Sequence, residues 1–434
     1  TVPLLPIQKD FFSWKLAKPE HFNQAIMLKS LEPIQVESVK LAVKELVRHH
    51  DMLRATYDGM TQKVGPKLEK AKAEVSYYDL TEEEQIGEKI KELNTMIQAS
   101  INLAYGPLMR VAIYHTKNQD HLMICIHHLV VDGVSWRILM EDFETVYTQA
   151  VQGKKLSLPR KTASYKQWVE TLDCYSQSNL ANRTFEYWKL VSEEAEKWNF
   201  APKGVKEFDE EEAIGADQIL LDEEQTKKLL YQAGKAYGTQ INDLLLSALC
   251  LAVYRHSEQK KVCIELEGHG REEIDQAPAI DRTVGWFTTT YPVVLEAFEN
   301  LEDLIVSTKE NLRRVPDHGI LYGLLKYQRP EEIKNVVSEI SFNYLGHLDS
   351  ESNEEGHFGW SEYSAGEMTA KENHSKNNIV INGVISGGML SIEVSYETQK
   401  YDKELIHSLL KEYKLSLEKI IDYCCFISIS FYII

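Results

Sequence analysis

The stretch His121–Trp136, HLMICIHHLVVDGVSW, constrains the fold more than any other part of the chain. In an extended strand side chains alternate between two faces. Leu122, Ile124, Ile126 and His128 then share one face, and Met123, Cys125 and His127 share the other. Both faces are apolar, so the strand is predicted to sit at the centre of a sheet covered on both sides. The two histidines point opposite ways, which excludes chelation of one metal by the pair. Asp132 and Gly133 are expected to form a turn, and Ser135 to open a helix. Such a strand end can hold an imidazole rigidly at the mouth of a cleft. A lone histidine in an apolar strand reads as a satisfied core residue, but the spacing HHxxxDG favours a working group.

A second strand end carries a carboxylate. In Val262–Glu273, VCIELEGHGREE, the residues Val262, Ile264 and Leu266 alternate with Cys263, Glu265 and Glu267. Glu267 ends the strand before a turn containing Gly268 and Gly270. Half-buried there, its carboxyl is expected to have a raised pKa, which suits proton transfer near neutral pH. A solvated loop glutamate is the plainer reading of the same residue. His49-His50-Asp51 looks like a catalytic cluster but reads as a helix terminus, where histidines face the negative end of the helix dipole.

Helices and strands mix along the whole chain. Val36–Leu53, Ser135–Ala150, Tyr165–Trp198, Asp222–Tyr237, Ile241–His256 and Tyr401–Ile421 have helical spacing, and Thr239 is a candidate N-cap. Val111–Tyr114, His121–His128, Lys261–Glu267, Val284–Leu295 and Ile340–Leu345 read as strands. Asn377–Ile385 and Met389–Tyr396 read as a hairpin joined through Gly387-Gly388. Gly153–Ser164 reads as a basic connector, and Lys203–Ala216 as an acidic loop. The expectation is an α/β chain in two parts, residues 1–178 and 179–422. Residues 423–434, YCCFISISFYII, form an uncharged, β-prone tail; it reads as a docking or membrane-associating segment or, more simply, as an artefact outside the fold.

Composition narrows the function classes. The 434 residues carry 48 Lys plus Arg against 66 Asp plus Glu, a net charge of −18. That balance argues against nucleic-acid partners and anionic membranes. Six cysteines without paired CxxC spacing argue against a zinc site and suit a cytoplasmic compartment. No signal peptide is recognised and no run is long enough to cross a membrane. The absence of an initiating Met reads as a piece of something larger.

On these residues the chain resembles a known family. HHLVVDGVSW (His127–Trp136) is similar to the HHxxxDG signature of condensation-type domains of nonribosomal peptide synthetases. PLLPIQKDFF (Pro3–Phe12), EGHGRE (Glu267–Glu272), TVGWFTTTYPV (Thr283–Val293), RRVPDHGILYG (Arg313–Gly323) and FNYLG (Phe342–Gly346) resemble the epimerization branch, of the kind that closes a tyrocidine- or gramicidin-type initiation module. The resemblance implies two chloramphenicol-acetyltransferase-like halves with mixed sheets, forming a V-shaped pseudo-dimer with a central tunnel. It implies L-to-D epimerization of an aminoacyl or peptidyl thioester on the phosphopantetheine arm of a carrier protein. His128 and Glu267 match the catalytic pair. His127, Asp132, Gly133 and Arg271 match structural positions, with Arg271 the candidate partner of Asp132. Ser135, Trp286, Asn343 and Tyr344 are candidates for lining the tunnel, although capping explains Ser135 equally well and core packing is the plainer reading of Trp286.

The same resemblance implies no metal and no bound cofactor. The expected partners are an upstream carrier domain and an adenylation domain of the same synthetase, and a downstream condensation domain; the excised domain is expected to be monomeric. Lys154, Lys155, Arg160 and Lys161 are the first candidates for a docking patch. A condensation domain that joins two carrier-bound substrates is the nearest rival. A non-catalytic carrier-docking module and a coenzyme A acyltransferase are further alternatives. A one-base mechanism, with Glu267 acting through water, also stays open.

Overall fold

A computed structural model describes residues 1–65, 74–200, 214–274, 277–347, 356–374 and 376–430. Its strands are β1 (Asn23–Ser30), β2 (Ala55–Asp58), β3 (Thr61–Val64), β4 (Val75–Asp79), β5 (Met109–His115), β6 (Asp120–His127) and β7 (Ile214–Leu221). They continue with β8 (Lys261–Gly268), β9 (Thr289–Glu296), β10 (Ile340–His347), β11 (Phe358–Trp360), β12 (Ile379–Ser386) and β13 (Met389–Glu397). The chain forms two compact units. Unit 1 comprises Thr1–Gln177, His269–Thr288 and Ser352–Asn373; unit 2 comprises Ser178–Gly268, Thr289–Glu351 and His374–Ile434. A single cut near residue 178 therefore does not describe the division, because two later segments return to unit 1.

Unit 1 is built on a five-stranded sheet of order β11-β1-β6-β5-β4. Only the β4–β5 pair is parallel. All eight residues of β6 are buried, as a strand apolar on both faces requires in the middle of a covered sheet. The helix Val36–His49 packs its apolar stripe against the helix Gly133–Val151. Unit 2 is built on a six-stranded mixed sheet, β7-β13-β12-β10-β8-β9. Its buried helix Ile241–Ser257 packs on the long helix Lys403–Ser430.

Several boundaries differ from the sequence reading. Tyr165–Trp198 is two helices, Tyr165–Ser176 and Asn179–Ala195, because Ser178 leaves the helix and caps the second through Ala181 N. Gln240, not Thr239, precedes the helix Ile241–Ser257. The strand expected from Val284 begins at Thr289, since Val284–Thr288 belongs to unit 1. Residues 203–213 of the expected acidic loop lie outside the described residues, and Ile214–Ala216 is already strand.

The tail contradicts its β-prone composition. Tyr423–Ser430 continues the helix begun at Lys403, with Cys424 and Cys425 buried and the Tyr423 and Tyr237 hydroxyls 3.1 Å apart. A helix already nucleated over five turns propagates cheaply, so tertiary context overrides local β propensity. All six cysteines are free thiols, and five of them are buried. Among the described residues no helix is long and apolar enough to cross a membrane.

Candidate active site

His128 sits just beyond β6. The strand ends at His127, and His128–Val130 form a turn of 3-10 helix, so His128 is not in register with Ile126 as strand alternation suggested. The neighbouring imidazoles have separate tasks. His127 is 0% exposed; its Nε2–H donates to Pro19 O at 2.8 Å and its Nδ1 accepts from Leu129 N at 3.1 Å. Burial pushes its pKa down to about 3, so it stays neutral and pins the turn.

His128 is half-buried. Its backbone N–H donates to Phe22 O at 3.0 Å. Its ring stacks on Phe22 at 5.6 Å and lies 4.3 Å from the Trp286 ring, between centroids. Its Nδ1 is 2.9 Å from Val131 O and its Nε2 is 3.0 Å from Gln24 Nε2. Burial lowers its pKa, opposed by these backbone contacts and by Asp132. Gln8, from Pro3–Phe12, braces the same turn: its Nε2 donates to Leu129 O at 2.9 Å and to Gln62 Oε1 at 2.8 Å.

Asp132, Ser135 and Arg271 form a buried knot within unit 1. Asp132 is 4% exposed and caps the helix, its Oδ1 accepting from Ser135 N at 2.7 Å and its Oδ2 from Phe287 N at 3.0 Å. Arg271 Nη2 lies 3.2 Å from Asp132 Oδ1 and 3.0 Å from Ser135 Oγ. Its Nη1 donates to Ile280 O and Thr283 O, and the guanidinium covers the Phe287 ring at 3.9 Å. Ser135 is 0% exposed and its hydroxyl also donates to Gly285 O at 2.9 Å. Those bonds commit the Ser135 hydroxyl to the interior of unit 1, where it ties the helix start to Gly285 and Arg271. Gly133 is the first residue of the helix rather than a turn, with no left-handed φ. In EGHGRE it is Gly270 that demands glycine: φ is +67° and a Cβ would meet Phe287 O at 1.7 Å.

In unit 2, Glu267 stands at the end of β8 opposite Thr290 of β9. The parallel neighbour β10, aligned Ser341 to Glu265 and Phe342 to Leu266, brings Asn343 alongside. Asn343 Nδ2 donates to Glu267 Oε2 at 2.9 Å. Glu265, one alternation back, is buried and paired with Lys376 at 2.7 Å. Glu267 is an exposed residue, but the protein packed around its carboxylate removes part of its hydration and pushes its pKa up to about 7; the Glu265 charge adds to this and Lys376 opposes it. Tyr344 is half-buried, and burial raises its pKa. Trp286 is 3% exposed and packs in the aromatic group of Phe11, Trp14 and Phe22 as well as on His128.

His49, His50 and Asp142 bring ligand-type atoms within 4.8 Å of one another. Asp142 is already divided between His50 Nε2, at 2.9 Å, and the Arg282 guanidinium. A cation placed there would face a fixed positive charge, so the cluster reads as structural.

The comparisons agree with this fold. The condensation-domain family matches residues 1–425, and the chain belongs to that family. Gramicidin S synthase 1 of Brevibacillus brevis is 39% identical over 98% of the chain, and bacitracin synthase 3 of Bacillus licheniformis is 37% identical over 98%. The chain spans 40% and 7% of those two proteins. Among solved structures, the epimerization domain from the third module of tyrocidine synthetase B superposes with a TM-score of 0.89 at 37% identity, covering 98% of this chain and 97% of that one. The SgcC5 protein of Streptomyces globisporus, at 15% identity and a TM-score of 0.75 over 97% and 98%, shares the fold. The two halves are thus acetyltransferase-like mixed α/β units of a condensation-type domain.

Proposed function

We propose that this domain inverts the α-carbon of an aminoacyl or peptidyl thioester carried on the phosphopantetheine arm of a carrier protein. The observation that carries the reading is the superposition on an epimerization domain over 98% of the chain with a TM-score of 0.89; the raised pKa of Glu267, at the end of β8, is consistent with it. The 37% identity to an epimerization domain supports it. A thioester α-proton is a far weaker acid than imidazolium, so its removal needs a positioned base and stabilisation of the enolate oxygen. Inversion then needs an acid to return a proton to the other face of the carbanion.

The directions of the two pKa shifts are consistent with one order of roles. Burial keeps His128 neutral at pH 7, and Glu267 holds its proton up to about the same pH. On this reading His128 is the base and Glu267 the acid. His128 Nε2 takes the α-proton, the C–H electron pair passes into the thioester carbonyl as an enolate, and Glu267 supplies the proton that restores the carbon. No cofactor enters this scheme.

A single loaded carrier tests the reading. Incubation in deuterated water is expected to give D-configured aminoacyl groups with deuterium at the α-carbon. Amide formation from two loaded carriers, without inversion on one, would establish a condensation domain instead. Lys154, Lys155 and Arg160 are exposed, while Lys161 pairs with Asp51 at 2.7 Å. If an acidic carrier docks on this connector, reversing the charges of Lys154, Lys155 and Arg160 is expected to raise KM for the carrier about tenfold and leave kcat unchanged. An unchanged KM removes the connector from the docking surface.

A further inference from the structure

We propose that Gln24, held by Trp136, is a positioning residue for His128: it locks the imidazole as the Nδ1–H tautomer with its Nε2 lone pair pointed along one fixed direction. The inference rests on reading His128 as a proton carrier, and its geometry lies wholly within unit 1.

The argument is one of donors and acceptors. An indole Nε1–H can only donate, and a backbone carbonyl can only accept. Trp136 Nε1 donates to Gln24 Oε1 at 2.8 Å. That contact orients the Gln24 amide, so the group 3.0 Å from His128 Nε2 is the NH2, which donates. At the other side of the ring, His128 Nδ1 lies 2.9 Å from Val131 O and must carry a hydrogen to satisfy it. The chain Trp136–Gln24–His128–Val131 therefore runs in one direction and fits one protonation state. Imidazolium would set an N–H against the Gln24 NH2, and Gln24 cannot turn its oxygen inward without giving up Trp136. The elements fit this task. Gln24 lies on β1 beside β6, opposite Ile126, and Trp136 lies in the first turn of the helix that Asp132 caps.

The arrangement suits a proton carrier that must not hold its proton. Before reaction the lone pair is aimed and occupied by a weak donor that a substrate C–H or N–H can displace. After reaction the imidazolium is disfavoured, so it releases the proton readily. The titratable groups of unit 1 beside His128 are Asp132, whose charge Arg271 shares, and His127, which is neutral and turned the other way towards Pro19. Phe22 and Trp286 cover the ring without charge.

The test is a pH titration of the His128 ring by 15N and 13C NMR in the full chain, with the signal assigned by its loss in His128→Ala. The parent is expected to show an unprotonated Nε2 at pH 7. Gln24→Glu turns the donor into an anionic acceptor and is expected to raise the His128 pKa by about one unit or more. Trp136→Phe frees the amide to flip and is expected to raise it by less, while Gln24→Leu leaves the tautomer to Val131 alone. Unshifted signals from the other histidines separate these effects from misfolding. A His128 titration unchanged in both Gln24→Glu and Trp136→Phe overturns the proposal, as does a parent tautomer protonated at Nε2. None of these readouts depends on which reaction the domain performs, so a failed inversion assay and a failed titration are separate results.

Discussion

Replacing Glu267 with Gln is expected to slow α-proton exchange and L-to-D conversion of a carrier-bound thioester by about 10²–10⁴-fold, while making the folded domain more heat-resistant at pH 8. The two effects have one cause. An unfolded glutamate ionises near about 4.3, whereas folded Glu267 keeps its proton up to about 7. Between those values the folded state binds a proton that the unfolded state has released, so stability falls as pH rises and stays reduced above 7. Glutamine removes that cost: the gain in Tm should be present at pH 8 and absent at pH 4. The activity of the parent should decline as pH rises through about 7, because the acid form of Glu267 is lost. A rate that instead rises through 7 would make Glu267 the base. Full activity in Glu267→Gln would remove it from the chemistry.

The second large effect is structural. Asp132→Ala or Arg271→Ala is expected to cost about 3–5 kcal/mol, the usual result of leaving one member of a buried ion pair alone. Asp132→Ala also uncaps a helix and strands Phe287 N and Ser135 N without an acceptor. Arg271→Ala leaves the Asp132 carboxylate without its cation and takes a donor from the Thr283 carbonyl, whereas Ile280 O keeps its bond from Thr283 N. Because both remove the same contact, the double variant should cost clearly less than the two single losses added. Urea midpoints measure all three. Unaltered midpoints with lost inversion would mean that the pair acts on the substrate rather than on the fold.

Periodicity carried far in this chain where one principle ruled. The eight buried residues of β6 and the hairpin Ile379–Ser386 with Met389–Glu397 follow directly from alternation. Motif residues also made structural sense: Gln8 braces the His128 turn, and Arg313 pairs with buried Asp243 at 3.0 Å. Other features were invisible because they depend on distant partners. Nothing local in NQAIMLKS marks Gln24 as a neighbour of His128, since the contact needs β1 to pair with β6 in one register. His128 left the strand alternation because the chain turns one residue early to reach Val131. The tail departs from its local composition because β propensity is a preference of surroundings, and its surroundings are a helix already formed.

The passage of the chain from unit 2 into unit 1 immediately after Gly268 bears on inheritance and engineering. Recombination at residue 178 would exchange an N-terminal piece lacking Arg271, Phe287 and the edge strand Phe358–Trp360, which pairs with β1. A hybrid made there must rebuild the Asp132 knot from foreign segments and reseal an open sheet edge. The segments 1–177, 269–288 and 352–373 therefore form one linkage group. Productive exchange between related synthetases is expected to keep them together or to move the whole domain at once.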